Sequence, residues 1–454
     1  MPTPYEIRGE GRELALGIMS GTSLDGIDVF IGEIAWQPES TGEAKTAAKF
    51  FDFQLTLDKI YSASYPYEDA IRQSLEKLTA SSEVSLAELV TLDKRLGEAY
   101  AAAVNKTLAA ANIASSEIAF LGCHGQTVFH RAGAGLKKRL QENEKGTAHK
   151  NNLDKSKGET LSLQLGSAAL LAEKTNIISV TNFRQRDIAA GGEGAPLVPI
   201  FDYLFYSSPA QHRILINIGG IANYTILPAR GSYQEIRGSD TGPGNMMLDA
   251  AVKIITDGEK SYDIDGKMAA QGRAKEAGLD FLWQNSFFNR DLPRSTGRDD
   301  FGLSFVRSYL EFCQKNNFAA RDIIATLTEF TVQAIARTLL LDIENLKATT
   351  GYFDDSKEVE ILVSGGGSLN QEMMTRLSRT LKKKLNTREE FEEVKTRPLN
   401  SKTTLDLKLP KISAQEKEAA AFALLAWLTL NNKPGNIPQI TGASRPVVLG
   451  EITY

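Results

Sequence analysis

Leu14-Ala15-Leu16-Gly17-Ile18-Met19 runs directly into Ser20-Gly21-Thr22-Ser23-Leu24-Asp25-Gly26. The apolar run reads as a buried strand, and its abrupt end in small and hydroxyl residues reads as a glycine-rich hairpin with Ile27 to Ile34 as the return strand. The same grammar recurs along the chain. Ile118 to Gly122 is a strand leading into Cys123-His124-Gly125-Gln126-Thr127, and Ile177 to Val180 is another. Arg213 to Ile218 ends in Gly219-Gly220, and Val359 to Val363 closes on Gly365-Gly366-Gly367. Helical spacing covers 66–111, as two or three helices, then Leu163 to Lys174 and Glu416 to Leu430. Helices are also expected from near Met246, fed by an Asp240-to-Asn245 turn, and from about Gln371. Strands alternating with helices predict an α/β protein, in which ligands sit at the carboxyl ends of strands.

The length of 454 residues suits two or three domains. A net charge of −4 argues against nucleic acid or an anionic membrane as a partner, since such binding needs a concentrated basic face. Two cysteines and four histidines exclude a disulfide scaffold and nearly exclude a structural zinc site. No apolar run approaches the ~20 residues of a membrane span. The polar, acid-containing start of the chain is unlike a targeting signal, so the expectation is a cytoplasmic protein. Residues 133–160 are charged and poor in large apolar groups, the composition of a surface insertion. Residues 383–410 are similarly charged and read as a strand with ragged loops.

The glycine turns carry the chemistry. Gly21, Thr22, Ser23, Leu24, Asp25, Gly26, Ile27 and Asp28 follow a strand, where glycine lets backbone N–H groups approach an anion and hydroxyls add donors. Asp25 is placed to hold a hydrated Mg²⁺ against phosphate oxygens; the alternative is a plain tight hairpin. Asp240, before Gly242 and Gly244, either works at a helix's positive end or simply caps that helix. Gly365, Gly366 and Gly367 would let an adenine ring lie on bare backbone. With Gly219 and Gly220 they point to nucleotide phosphates gripped between two lobes. His124, Gln126 and Thr127 suit a hydroxyl-rich substrate or, equally, a satisfied buried network. Arg184 or Arg186 suits a carboxylate or sugar oxygens, unless the guanidinium pairs with Asp187.

Taken together, GIMSGTSLDGID (17–28), GCHGQT (122–127), FRQRDIAAGGEGAPLVP (183–199), NIGGIAN (217–223), SDTGPGNMMLDA (239–250), PRSTGR (293–298), SGGG (364–367) and PGN…TGAS…VLG (434–450) resemble the anhydro-N-acetylmuramic acid kinase family, in collinear order. The resemblance implies two ribonuclease-H-like lobes of the actin/Hsp70/sugar-kinase type with ATP in the cleft between them. Lobe I would be 1–205 completed by a helix at about 415–432, lobe II 206–414, and 433–454 a tail. It implies an enzyme that opens the 1,6-anhydro bond and phosphorylates the released O6, using ATP, Mg²⁺ and water. By motif, Asp240 matches the catalytic base, Gly21 to Asp28 the first phosphate loop, and Gly365 to Gly367 the adenosine-side turn. Thr127, Arg186 and Glu418 match substrate contacts. A homodimer is expected at the level of the family.

Two features depart from the pattern: Asn182 stands where the family commonly has Asp, and 133–160 interrupts a normally short connection. Lys417-Glu418-Ala419 also resembles levoglucosan kinase, which acts on 1,6-anhydroglucose. Outside enzymes, the competing reading is an actin-like ATP-binding module without catalysis.

Overall fold

The computed structural model describes residues 10–21, 24, 26–38, 51, 53–80, 83–131, 133, 159–229, 233–351, 353, 357–385, 395–398, 412–413 and 415–454. The chain divides into two compact units, Met1–Phe205 with Thr404–Tyr454, and Tyr206–Thr403. In the first unit, strands β1 (Gly11–Met19), β2 (Gly26–Pro38) and β3 (Phe53–Pro66) form an antiparallel meander. Helices α1 (Asp69–Ala80) and α2 (Leu86–Ala111) follow, and β4 (Ile118–Cys123) lies parallel to β1. A side hairpin of β5 (Gln126–Arg131) and β6 (Leu161–Leu165) precedes α3 (Ala168–Thr175). Then β7 (Ser179–Thr181) pairs parallel to β4, and α4 (Phe183–Ala189) leads into the glycine loop at 191–194.

The second unit repeats this plan. Strands β8 (His212–Ile218), β9 (Ile221–Leu227) and β10 (Arg237–Pro243) form the meander, and α5 (Met246–Ile255) follows. Several short helices then lead to α6 (Ala320–Thr350), after which β11 (Val359–Ser364) lies parallel to β8. Helix α7 (Gln371–Leu385) connects to β12 (Lys395–Pro398), parallel to β11. The chain returns to the first unit as α8 (Lys417–Leu430) and β13 (Glu451–Thr453), which pairs with β7. Residues 433–454 therefore include a sheet strand.

Each unit thus has a three-strand meander extended from its first strand by two parallel strands, in the orders β13-β7-β4-β1-β2-β3 and β10-β9-β8-β11-β12. This is the ribonuclease-H-like plan, made twice by one chain. Burial explains the strand sequences. Ile214, Ile216 and Ile218 of β8 face a core with Leu248, Phe330 and Leu339, while Leu16 and Ile18 of β1 face Leu96, Val104 and Leu121. In register, Arg213 of β8 and Glu360 of β11 form a buried ion pair at 2.8 Å.

Two expectations change. Leu163 to Lys174 is not one helix: Leu161, Leu163 and Leu165 alternate with polar residues and form β6, and the helix starts only after Ser167 accepts a hydrogen bond from the Leu170 amide. Asp240 to Pro243 belongs to β10, and the turn is confined to Gly244 and Asn245. Helix α6 is long and apolar enough to cross a membrane by length and composition, yet most of it is buried within the second unit, where it places Ile324, Leu327, Phe330 and Ile335 in the core. Most of the charged segment at 133–160, and much of 383–410 around β12, lie outside the described residues.

Helix α8 shows how small residues set the packing. It crosses β1 and β4 so closely that a Cβ on Gly17 would overlap the Ala419 carbonyl oxygen, and one on Gly122 the Phe422 carbonyl oxygen. Backbone cannot yield as a flexible side chain can, so overpacking here costs stability. Gly122→Val is expected to lower stability by about 3 kcal/mol, read as a fall in melting temperature or loss of soluble protein. A wild-type melting curve would refute this packing.

Candidate active site

Asp240 lies on β10 opposite Asn223 of β9, where the register shifts. The loop at 290–300 folds back onto it. The Asp240 amide donates to the Arg294 carbonyl at 3.0 Å, and the Thr296 amide donates to the Asp240 Oδ2 at 2.8 Å. The loop is held rigidly. Ser239 Oγ exchanges hydrogen bonds with the Arg294 backbone at 3.0 and 3.1 Å. Arg290 grips Asp300 at 2.6 and 3.0 Å, and the Thr296 hydroxyl donates to Asp300 at 2.7 Å. The Arg294 guanidinium lies over the Phe287 ring at 4.5 Å and donates to the Phe288 and Arg290 carbonyls and to the Thr338 hydroxyl.

The Asp240 carboxyl is half-buried, so it keeps a path to solvent while protein surrounds most of it. Desolvation pushes its pKa from 3.8 to about 7, against the opposing pull of the Thr296 amide and the Arg294 charge. It does not cap a helix. Helix α5 begins at Met246 behind Asn245, and its first donors are taken: Gly244 and Met246 donate to the Gly220 carbonyl at 2.9 and 3.1 Å, and Asn245 to Gly219 at 2.8 Å.

The glycines of this unit therefore divide by role. Gly242 and Gly244 are buried, and a Cβ on Gly244 would strike the Gly219 carbonyl oxygen, so Gly244 serves hairpin-to-helix packing. Gly365 has φ +80°, a left-handed backbone that favours glycine, and it packs with Gly367 against Asn217 and Ile218 at the end of β8. Gly220 and Gly366 are exposed, and Gly219 is half-buried. Open contacts around these three leave a floor of bare backbone, joined through Asn217, Ile218 and Asn245. This floor suits a nucleotide, whose ring and phosphates need close backbone approach.

In the first unit, Thr22, Ser23 and Asp25 lie outside the described residues. Leu24 and Ile27 turn their side chains into the core, so only their backbone is available to a phosphate. Gln126 is committed to protein: its Nε2 donates to the Gly21 carbonyl at 3.0 Å and its Oε1 accepts from Tyr67 at 3.0 Å. It pins the hairpin, and the buried-network alternative describes it. Thr127 Oγ1 accepts from Gln164 at 3.1 Å. Asp28 accepts from the Ser64 hydroxyl, and its charge adds to burial in raising the Glu418 pKa. Among the described residues no three acids, histidines or cysteines cluster as a metal cage.

His124 is buried at the end of β4, with its ring 4.8 Å from Phe422 of α8. Its Nε2 accepts from Arg184 Nε at 3.0 Å. Guanidinium only donates, so the lone pair sits on Nε2 and the proton on Nδ1. Burial and the Arg184 charge push the His124 pKa well down, keeping the ring neutral. Burial also lowers Arg184 to about 10 and raises Glu418, while each charge favours the ionised form of the other. His124, Arg184 and Glu418 thus form one polar group.

Arg186 is not part of it. Two residues on along α4 from Arg184, it is exposed and lines a separate cavity with Arg445 and Asn432. Asp187 accepts from the Gly194 amide at 2.8 Å, Asn436 at 2.6 Å and Thr441 at 2.7 Å, tying the glycine loop to the C-terminal segment. Asn182 donates to Glu451 at 2.7 Å, so an aspartate there would place two carboxylates together. Sequence reasoning assigned no role to Arg294 or Thr296; the available signal was a polar, proline-led motif at 293–298.

A profile of the anhydro-N-acetylmuramic acid kinase family matches residues 13–154 and 145–454. Proteins named anhydro-N-acetylmuramic acid kinase are similar along almost the whole chain. The one from Francisella tularensis subsp. novicida is 36% identical, covering 97% of this chain and 98% of that protein. That from Synechococcus elongatus is 34% identical over 96% and 98%, and that from Caldanaerobacter subterraneus subsp. tengcongensis 31% over 98% and 98%.

The Asp240 shift has a stability signature. Its folded pKa of about 7 exceeds the ordinary 3.8, so between those values the native state holds a proton that the unfolded chain has lost. This group's contribution to stability therefore declines as pH rises through that window, by at most about 1.4 kcal/mol per pH unit. Denaturation of wild type and Asp240→Asn from pH 4 to 8 should show a stability difference that shifts in favour of Asn as pH rises. A pH-independent difference would contradict the shift.

Proposed function

Because this chain belongs to the anhydro-N-acetylmuramic acid kinase family, we propose that it opens the 1,6-anhydro bridge of anhydro-N-acetylmuramic acid with water. In the same reaction it transfers the γ-phosphoryl group of ATP to the released O6, giving N-acetylmuramic acid 6-phosphate and ADP. The observation that carries this reading is the Asp240 carboxyl, held at one oxygen by the Thr296 amide and tuned by desolvation to about 7. A base poised near neutrality is what proton removal from water requires. With one oxygen anchored, the other is oriented toward a water attacking the anomeric carbon. That attack breaks the C1–O6 bond, and the developing O6 alkoxide is the nucleophile for the γ-phosphorus, with ADP leaving in line. Bridge opening thus supplies the nucleophile for phosphoryl transfer.

In this reading the second unit provides the base and a nucleotide floor at Gly219, Gly220 and Gly366. The first provides the Gly21–Asp28 hairpin for phosphate and the His124–Arg184–Glu418 group for the sugar, with Thr127 beside it. The neutral His124 fixes the Arg184 guanidinium, which offers a cation to a carboxylate. Mg²⁺, held through water by Asp28 and Glu418 or by Asp25, would neutralise charge on the phosphate oxygens.

Asp240→Asn keeps the side chain's shape and removes the base. Sugar-dependent ADP formation is expected to fall about 10²–10⁴-fold, with ATP binding by calorimetry within a few-fold of wild type. Undiminished turnover in the variant would remove Asp240 from the chemistry. ADP release that ignores the sugar in wild type would favour a non-catalytic nucleotide-binding module instead.

A further inference from the structure

Four polar side chains of the first unit, Ser20, Tyr67, Tyr100 and Gln126, are buried together where β1 gives way to the glycine hairpin. They come from four places in the chain: just after β1, just before α1, the middle of α2 and the start of β5. Their hydrogen bonds run in one direction. Gln126 Oε1 only accepts, so Tyr67 gives it its single hydroxyl proton at 3.0 Å. The Tyr67 and Tyr100 hydroxyls are 3.4 Å apart, and since the Tyr67 proton is engaged, Tyr100 is the donor there. Ser20 Oγ, 2.7 Å from the Tyr100 oxygen, is then the donor of that bond. Gln126 Nε2 donates to the Gly21 carbonyl at 3.0 Å. Ser20 and Gly21 are consecutive, so the bonds begin and end on the hairpin and close into a ring.

The ring is fixed from behind. Burial raises the Tyr100 pKa well above its ordinary 10, so the proton it passes on stays in place. Gly166 approaches so closely that a Cβ there would overlap the Tyr100 side chain, which leaves that ring no room to turn. Hydrogen bonds in such a chain polarise one another, and opening one member exposes the rest to the cost of unpaired burial. What the ring holds is a glycine peptide. Gly21 has no side chain to anchor it, and its carbonyl oxygen, turned outward, would repel a phosphate. Here that oxygen is engaged by Gln126 and by the Leu24 amide at 3.3 Å.

We propose that Ser20, Tyr67 and Tyr100 are positioning residues for the nucleotide: acting through Gln126, they keep the Gly21 carbonyl inward and so set the hairpin for phosphate. This rests on the reading of Gly21 to Asp28 as a phosphate loop.

Tyr67→Phe and Ser20→Ala each remove one hydroxyl and open the ring at a different member. Each should weaken calorimetric binding of a non-hydrolysable ATP analogue with Mg²⁺ about fivefold. KM for ATP should rise by a similar factor, while KM for anhydro-N-acetylmuramic acid stays within twofold and melting curves show folded protein. A ring already open has little more to lose, so the double variant should bind within twofold of the weaker single. Wild-type analogue affinity in both single variants overturns the proposal. Equal losses for analogue and sugar would make the network merely structural and overturn it too, and losses that multiply in the double variant would overturn the ring. Failure of the wild type to bind the analogue would overturn the phosphate-loop reading and this proposal with it. Wild type that binds the analogue but shows no sugar-dependent turnover would overturn only the reaction proposed above, because the calorimetric comparison still reads the ring.

Discussion

A carboxyl group that is largely enclosed, yet supported by a single amide, is the constraint around which the second unit is arranged. Full solvation would leave Asp240 a weak base, and several donors would pull its pKa down further. The loop at 290–300 supplies one amide and turns its strongest cation elsewhere, since the Arg294 guanidinium donates to the Phe288 and Arg290 carbonyls and to Thr338. The Arg290–Asp300 pair and the Ser239 bonds keep that arrangement from relaxing. A loop far from Asp240 in sequence thus sets its proton affinity.

The first unit applies the same logic in the opposite sense. His124 is deeply buried and receives a hydrogen bond from a cation, and both influences keep it neutral. Arg184 and Glu418 partly compensate each other's burial. The result is a polar group with donors and an acceptor of fixed identity near neutral pH, which favours recognition of a hydroxyl-rich, carboxylate-bearing sugar over proton transfer. Proton transfer falls to Asp240.

Much of this was legible in the sequence because buried strands advertise themselves as apolar runs and glycine marks their ends. Leu14 to Met19, Ile118 to Gly122, Arg213 to Ile218 and Val359 to Val363 lie on the strands found. Strand β3, polar on its exposed face, and β6, short and next to a helix, gave weaker signals. Side-chain direction was less legible still. Arg184 and Arg186 are two residues apart and chemically alike, and only the helical turn between them sends one toward His124 and the other to Arg445. Gln126 looked like a substrate ligand because nothing local reveals Tyr67 and the Gly21 carbonyl waiting for it. Gly244 looked like a phosphate contact, although its small size serves the approach of Gly219.

The proton affinity of Asp240 is the quantity on which the account turns, and carboxyl ¹³C NMR reads it directly. With aspartate labelled at the side-chain carboxyl carbon and the resonance assigned by its loss in Asp240→Asn, the titration midpoint should lie near 7. A midpoint near the ordinary 3.8 would contradict it, because that carboxylate would be too weakly basic for the work assigned to it.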